Sequence, residues 1–143
     1  MNRRTLLRTA PLTALCGCVG APSDTDDGID EVSERTLRDT GRCEDPEAAT
    51  VSVSGTQVRI EGCVTGPNGC SVSSLGSATV EENRLTVVVT TRRDAPPDTA
   101  CTEALVYRGY VATVETDGEP AGVRVLHETP EGRRTVAEWP EDS

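Results

Sequence analysis

The sequence predicts an all-β fold for residues 43–143: a small β-sandwich of about seven strands, with a small closed β-barrel as the alternative. Three observations predict it. Apolar and polar residues alternate with a period of two from Val51 onward, glycine, proline and asparagine turn signals recur at short intervals, and no stretch carries the 3.6-residue period of a helix.

The elements follow in order. Val51 and Val53 alternate with serines and Ser54-Gly55 makes a turn. Val58, Ile60, Gly62 and Val64 then alternate with Gln57, Arg59 and Glu61, which predicts a half-buried hairpin. After Gly66-Pro67-Asn68-Gly69 comes a polar strand near Val72–Val80. Asn83 turns the chain into Leu85–Thr91, whose apolarity on both faces predicts a central strand. A loop from Arg92 to Ala100 holds Pro96-Pro97. The next strand spans Ala104 to Glu115, with a bulge or bend expected at Gly109. Val123–Glu128 and Thr135–Trp139 complete the set, separated from their neighbours by Asp117-Gly118 and Glu131-Gly132. Short strands of this number without an internal repeat match the immunoglobulin-like class of sandwich.

A domain this small sits where a single core gains from cross-links. Cys43, Cys63, Cys70 and Cys101 read as two disulfides, and of the three possible pairings Cys43–Cys63 and Cys70–Cys101 are favoured. The first ties the start of the domain to an early strand, and the second joins two loop-to-strand junctions. A four-thiolate zinc site needs closely spaced pairs, and the gaps of 19, 6 and 30 residues do not supply them. One tension remains: with Val58 and Ile60 inward, strict alternation turns Cys63 outward unless a bulge intervenes at Gly62.

Residues 1–17 contain Arg3, Arg4 and Arg8, no acid, and a weakly apolar run interrupted by Pro11. This falls far short of the ~20 apolar residues a spanning helix needs, so the stretch reads as an export signal. The order Asn2-Arg3-Arg4-Thr5-Leu6-Leu7 resembles the twin-arginine signal, which implies the twin-arginine translocase as a partner during export. Leu15-Cys16-Gly17-Cys18 resembles a lipobox, with Leu15 three residues before Cys18 and the small Gly17 just before it. The resemblance implies lipidation of Cys18, loss of residues 1–17, and attachment to the extracytoplasmic face of the cell membrane. Two chains suffice for durable anchoring, since each buried methylene contributes about 0.8 kcal/mol. Residues 18–42, rich in Asp, Ser, Thr and Gly, read as an acidic flexible tether.

The chain carries 14 basic residues, every one an arginine, against 24 acids, for a net charge of −10 and no phenylalanine. Such a surplus of carboxylates repels phosphate, which argues against nucleic acid and against electrostatic membrane binding. Acidic, lysine-free chains of this kind resemble secreted proteins of halophilic archaea. In brine the Debye length falls to about 3 Å and the self-repulsion is screened.

Chemistry is harder to find. His127, the only histidine, shares the parity of Val123 and Val125, so the imidazole is expected to cap the apolar face as a structural group. A blue-copper site would need a second histidine and a free cysteine. Around Gly28 a calcium loop is only half present: Glu34 lies six residues on, but Ser23 occupies the first ligand position. No phosphate loop, nucleophile elbow or zinc-protease helix motif occurs. The sequence therefore predicts no catalysis, no metal and no cofactor. The best candidates for a binding surface are Tyr107, Arg108 and Tyr110, with Arg92 and Arg93, although packing of the tyrosines across the sandwich with their hydroxyls at its rim is the favoured expectation. The expected role is binding or envelope support toward an extracytoplasmic protein or ligand. A ligand-binding or protease-inhibitor-like module is the alternative, and a hydrolase the distant one.

Overall fold

The computed structural model describes residues 31–140, and the expectations for the signal, Cys18 and the calcium loop around Gly28 lie outside them. The described chain is a β-sandwich of eight strands: β1 (Val32–Arg42), β2 (Ala48–Ser54), β3 (Gln57–Gly66), β4 (Ser71–Glu81), β5 (Arg84–Arg93), β6 (Val106–Thr116), β7 (Gly122–Thr129) and β8 (Gly132–Trp139). One sheet has the order β1-β6-β3-β2 and the other β4-β5-β7-β8, so no barrel closes. The sandwich predicted from the alternating pattern is present. Every pairing is antiparallel except β5 with β7, which run parallel from Arg84↔Gly122 to Val89↔His127, so the connectivity is not that of the all-antiparallel immunoglobulin pattern.

The inward rows of both sheets make one core. Val58, Ile60 and Val64 of β3 and Tyr110, Ala112 and Val114 of β6 face Leu85, Val87 and Val89 of β5 and Val123 and Val125 of β7. As the valine run predicted, β5 lies between two neighbours, and even the out-of-phase Val88 is buried.

The eighth strand is a correction to the sequence reading. Val32–Arg42 falls in the expected tether, yet it pairs with β6 along its whole length. Its polar residues suit an edge strand that shows one face to solvent, and its inward Leu37 packs against the core. Asp39 ties this strand to both sheets. Its carboxylate accepts hydrogen bonds from Arg108 of β6 (2.6 and 3.2 Å) and from the backbone N–H and hydroxyl of Ser73 in β4 (2.8 and 2.9 Å). Burial alone would raise its pKa, but the hydrogen bonds from Arg108, Ser73 and Gly41 more than offset that and bring it to about 2.

Two bulge expectations are also revised. The register of β3 is unbroken through Gly62 and Cys63 against both neighbours, so no bulge turns Cys63 inward. Cys63 keeps the outward parity and is buried there beneath its disulfide with Cys43. Near Gly109 the irregularity sits in the partner strand: the register slips between Asp39 and Gly41 of β1, and Thr40 is the extra residue. Gly109 gives it room, since a Cβ there would lie 2.5 Å from the Thr40 hydroxyl.

The chain runs back and forth between two ends. Glu31 enters at the near end, where Thr56, Asn83, Asp117 and Trp139 also lie; hydrogen bonds from Thr116 to Thr56 and from Ala121 to Asn83 close it. The connections 43–47, 67–70, 94–105 and 130–131 gather at the far end. Both disulfides, Cys43–Cys63 and Cys70–Cys101, staple that far end in the pairing favoured from the sequence.

Candidate functional site

The far end is built around the only histidine. His127 is the last inward residue of β7 to face the core and is wholly buried. Its Nδ1 lies 2.9 Å from Oε1 of Glu47, and its Nε2 lies 2.7 Å from the hydroxyl of Tyr110. Burial lowers the imidazole pKa, against the opposing pull of the Glu47 carboxylate, so the ring is neutral. Nδ1–H then donates to Glu47, and Nε2 accepts from the Tyr110 hydroxyl. Burial, and behind it the negative charge of Glu47, drives the phenol pKa upward, so Tyr110 keeps its proton and donates it. The result is a one-directional chain, phenol to imidazole to carboxylate, with every buried polar atom of the imidazole satisfied.

Each member is placed by local sequence. Tyr110 points inward from β6 directly opposite Gly62 of β3. A Cβ at Gly62 would lie 2.5 Å from the tyrosine oxygen and 2.7 Å from the Ala48 carbonyl, so only glycine leaves space for the ring. The two rings of Tyr110 and His127 meet edge to face, 5.6 Å apart at 71°. Glu47 comes from the loop between β1 and β2 and holds φ at +61°, a conformation costly for a residue with a side chain. Three restraints keep it there: the Cys43–Cys63 bond, a 2.7 Å hydrogen bond from its N–H to the Cys63 carbonyl, and the Thr65 N–H donated to its Oε2 at 3.1 Å. The disulfide thus positions the carboxylate that plugs the sandwich over His127.

Above Glu47 the surface opens into a cavity of about 410 Å³ lined by Pro46, Glu47, Leu105, Tyr107, Pro130 and Arg134 among others. Leu105 (54 % exposed) and Tyr107 (40 %) are the large apolar side chains left in solvent among the described residues, and both line it. Its size is in the range of small-ligand sites. The described residues contain no group of three or more His, Cys, Asp or Glu able to hold a metal ion.

The binding-surface residues predicted from the sequence do not form one patch. Tyr107 lines the cavity as an exposed aromatic. Tyr110, three residues on and so of opposite parity, faces inward, and this corrects its assignment to a binding edge: it is 1 % exposed and committed to His127. Arg108 is taken up by Asp39 at 2.6 Å. Arg92 reaches only Asp94, at 3.7 Å, in solvent. Arg93 is a brace for its own loop, donating to the carbonyls of Pro96 (2.9 Å) and Thr99 (2.7 Å) and lying 3.0 Å from the Cys101 sulfur. Glu47 and Asp39 were not singled out by sequence reasoning. The signal for Glu47 was its position four residues after Cys43, which tethers its loop to the strand beside Tyr110.

Fold and far end together define a disulfide-stapled β-sandwich with a cavity at one pole. A family model described as "ORF11 beta-sandwich domain" matches residues 58–127, from the first buried residue of β3 to the buried histidine of β7. No curated protein and no solved structure matches the chain.

Proposed function

We propose that this protein is a lipid-anchored, extracytoplasmic binding module that acts without catalysis, presenting the far-end cavity to a ligand or to a partner in the cell envelope. The observation that carries the reading is polarity. The loops 43–47, 67–70 and 94–105, both disulfides and the cavity gather at the end opposite Glu31, the point from which the chain leads back toward Cys18. Attachment through Cys18 leaves that end free, and clustered loops around a cavity that joins exposed Leu105 and Tyr107 to the charged Glu47, Glu131 and Arg134 favour ligand binding over a purely structural role. The absence of catalysis is supported by the enclosure of His127 and Tyr110, whose partners are Glu47 and each other rather than a nucleophile in an open cleft.

Two variants in the native host test it. Cys18→Ser releases the chain from the membrane fraction. Leu105→Ser with Tyr107→Ser leaves melting temperature and membrane partition unchanged but abolishes the crosslinked adduct or ligand-induced melting shift that the wild-type chain gives. Membrane retention of Cys18→Ser refutes the anchor. An adduct that survives at full yield in the cavity variant refutes the assignment of the binding end.

A further inference from the structure

Four strands border the two sheets: β1 and β2 in one, β4 and β8 in the other. A sheet edge presents unpaired N–H and C=O groups, and proteins that stay monomeric blunt it with charges, prolines or bulges. Three of these edges are blunted. β1 has two register shifts and carries Glu34, Arg35, Arg38 and Asp39, the last of which also caps the backbone of β4. β4 is broken between Leu75 and Ser77. β8 slips opposite Val125/Leu126 and carries Arg133, Arg134 and Glu138.

The fourth is bare. β2 reads Ala-Ala-Thr-Val-Ser-Val-Ser, with no charge and no proline, and its pairing with β3 is unbroken from Ala48↔Cys63 to Ser54↔Gln57. Ala48, Thr50, Ser52 and Ser54 are exposed on one face, while Ala49, Val51 and Val53 pack partly against the core on the other. Beyond this edge an open groove of about 630 Å³ runs to β8, lined by Ala49, Val51, Val136, Ala137 and Trp139 and, among polar groups, by Thr50, Thr135 and Glu138.

We propose that β2 is a self-association edge, pairing antiparallel with β2 of a second copy about a two-fold axis at Val51. The two four-stranded sheets then become one of eight, with β2 against β2 at its centre. The strand suits its own copy. Thr50 meets Ser52 of the second copy, Ala49 meets its Val53, and the apolar row continues across the junction into the groove. Charge also permits it. The chain has a net charge of −10, but the outward row of β3 beside this edge carries Arg59 and Glu61 neutralising one another at 2.9 Å. No charged residue of one β2 therefore opposes a like charge of the other β2 across the junction. The axis sends the two Glu31 ends in opposite directions, so a membrane-attached pair lies with its strands along the surface and one cavity at each extremity. None of this depends on the binding role proposed above.

Sedimentation of the full chain at about 0.15 M salt, where charges are screened beyond about 8 Å, tests the pairing. Wild type is expected to be dimeric. Thr50→Lys with Ser52→Lys, and separately Thr50→Glu with Ser52→Glu, place like charges opposite one another on the exposed face and weaken self-association at least about tenfold, ~1.4 kcal/mol. Their circular dichroism and melting remain those of wild type. An equimolar mixture of the two variants restores the dimer. Trp139, the only tryptophan, is expected to be shielded from acrylamide in the dimer and open to it in the monomers. A wild type that is monomeric up to its solubility limit overturns the proposal, and so does a lysine variant that dimerises as wild type does. A monomer whose Trp139 is shielded by an added Thr-Val-alternating peptide also overturns it, and gives the edge to a foreign strand.

Discussion

Asp39 offers the sharpest test of how the sandwich is held together, because a single carboxylate joins β1 to strands of both sheets. Asp39→Asn keeps the shape and removes the charge that Arg108 and Ser73 address at 2.6 to 3.2 Å. The wild-type carboxyl has its pKa lowered from 3.8 to about 2. A shift of that size corresponds to about 2 kcal/mol of folding stability, since one unit is ~1.4 kcal/mol. Four-fifths of the side chain is out of solvent, so screening leaves most of this in place. The sign follows from the depressed value: the contribution is fully present above the unfolded pKa and is lost as pH falls through the folded one. Urea titrations of wild type and Asp39→Asn, compared between about pH 7 and about pH 2, isolate the effect because all other carboxylates are common to both chains. The expected difference is about 2 kcal/mol near neutral pH, closing progressively below about pH 4. A difference that stays constant down to about pH 2, or a variant as stable as wild type at neutral pH, refutes the account of the seam.

Three further outcomes follow from the far end. Gly62→Ala forces its methyl against the Tyr110 hydroxyl at 2.5 Å and is expected to lower stability by about 1–3 kcal/mol, read as a fall in the urea midpoint. Tyr110→Phe leaves Nε2 of His127 buried without a donor and costs about 1–3 kcal/mol in the same measurement. Because the folded imidazole has a lowered pKa, the unfolded chain takes up a proton first: stability is complete above about pH 6.5 and declines below it, and a His127→Gln variant lacks that decline.

The alternating pattern was enough to place β2 to β8 and the central position of β5, because period-two burial is written directly into residues such as Val58, Ile60, Leu85 and Val87. The disulfide pairing was also legible, since the oxidised cysteines lie at strand ends that meet at one pole. β1 was not. Its residues Ser33 to Asp39 are almost all polar, and only pairing with β6 reveals that Leu37 is inward and Asp39 an anchor between sheets. The inwardness of His127 was visible in its parity with Val123 and Val125, but its partners were not. Glu47 is one acid among 24, selected by a left-handed backbone turn and a disulfide that bring it over the ring. Tyr107 and Tyr110 lie three residues apart and so on opposite faces of β6, which turns Tyr110 inward and leaves Tyr107 exposed. Gly109, Gly62 and the Thr40 bulge fix which tyrosine goes in, and such close approaches leave no periodic trace in sequence.

The parallel pairing of β5 with β7 carries a consequence for how the chain acquires this shape. Between Arg93 and Gly122 the polypeptide must leave its sheet, lay down β6 against β1 and β3, and come back. The hairpins β2–β3, β4–β5 and β7–β8 close over short turns and carry little entropic penalty, whereas the β5–β7 junction closes over the whole excursion. The two halves of the second sheet are therefore hairpin ribbons paired to one another through that junction alone, and until it forms the valines of β5 and β7 are open to water and to one another's copies.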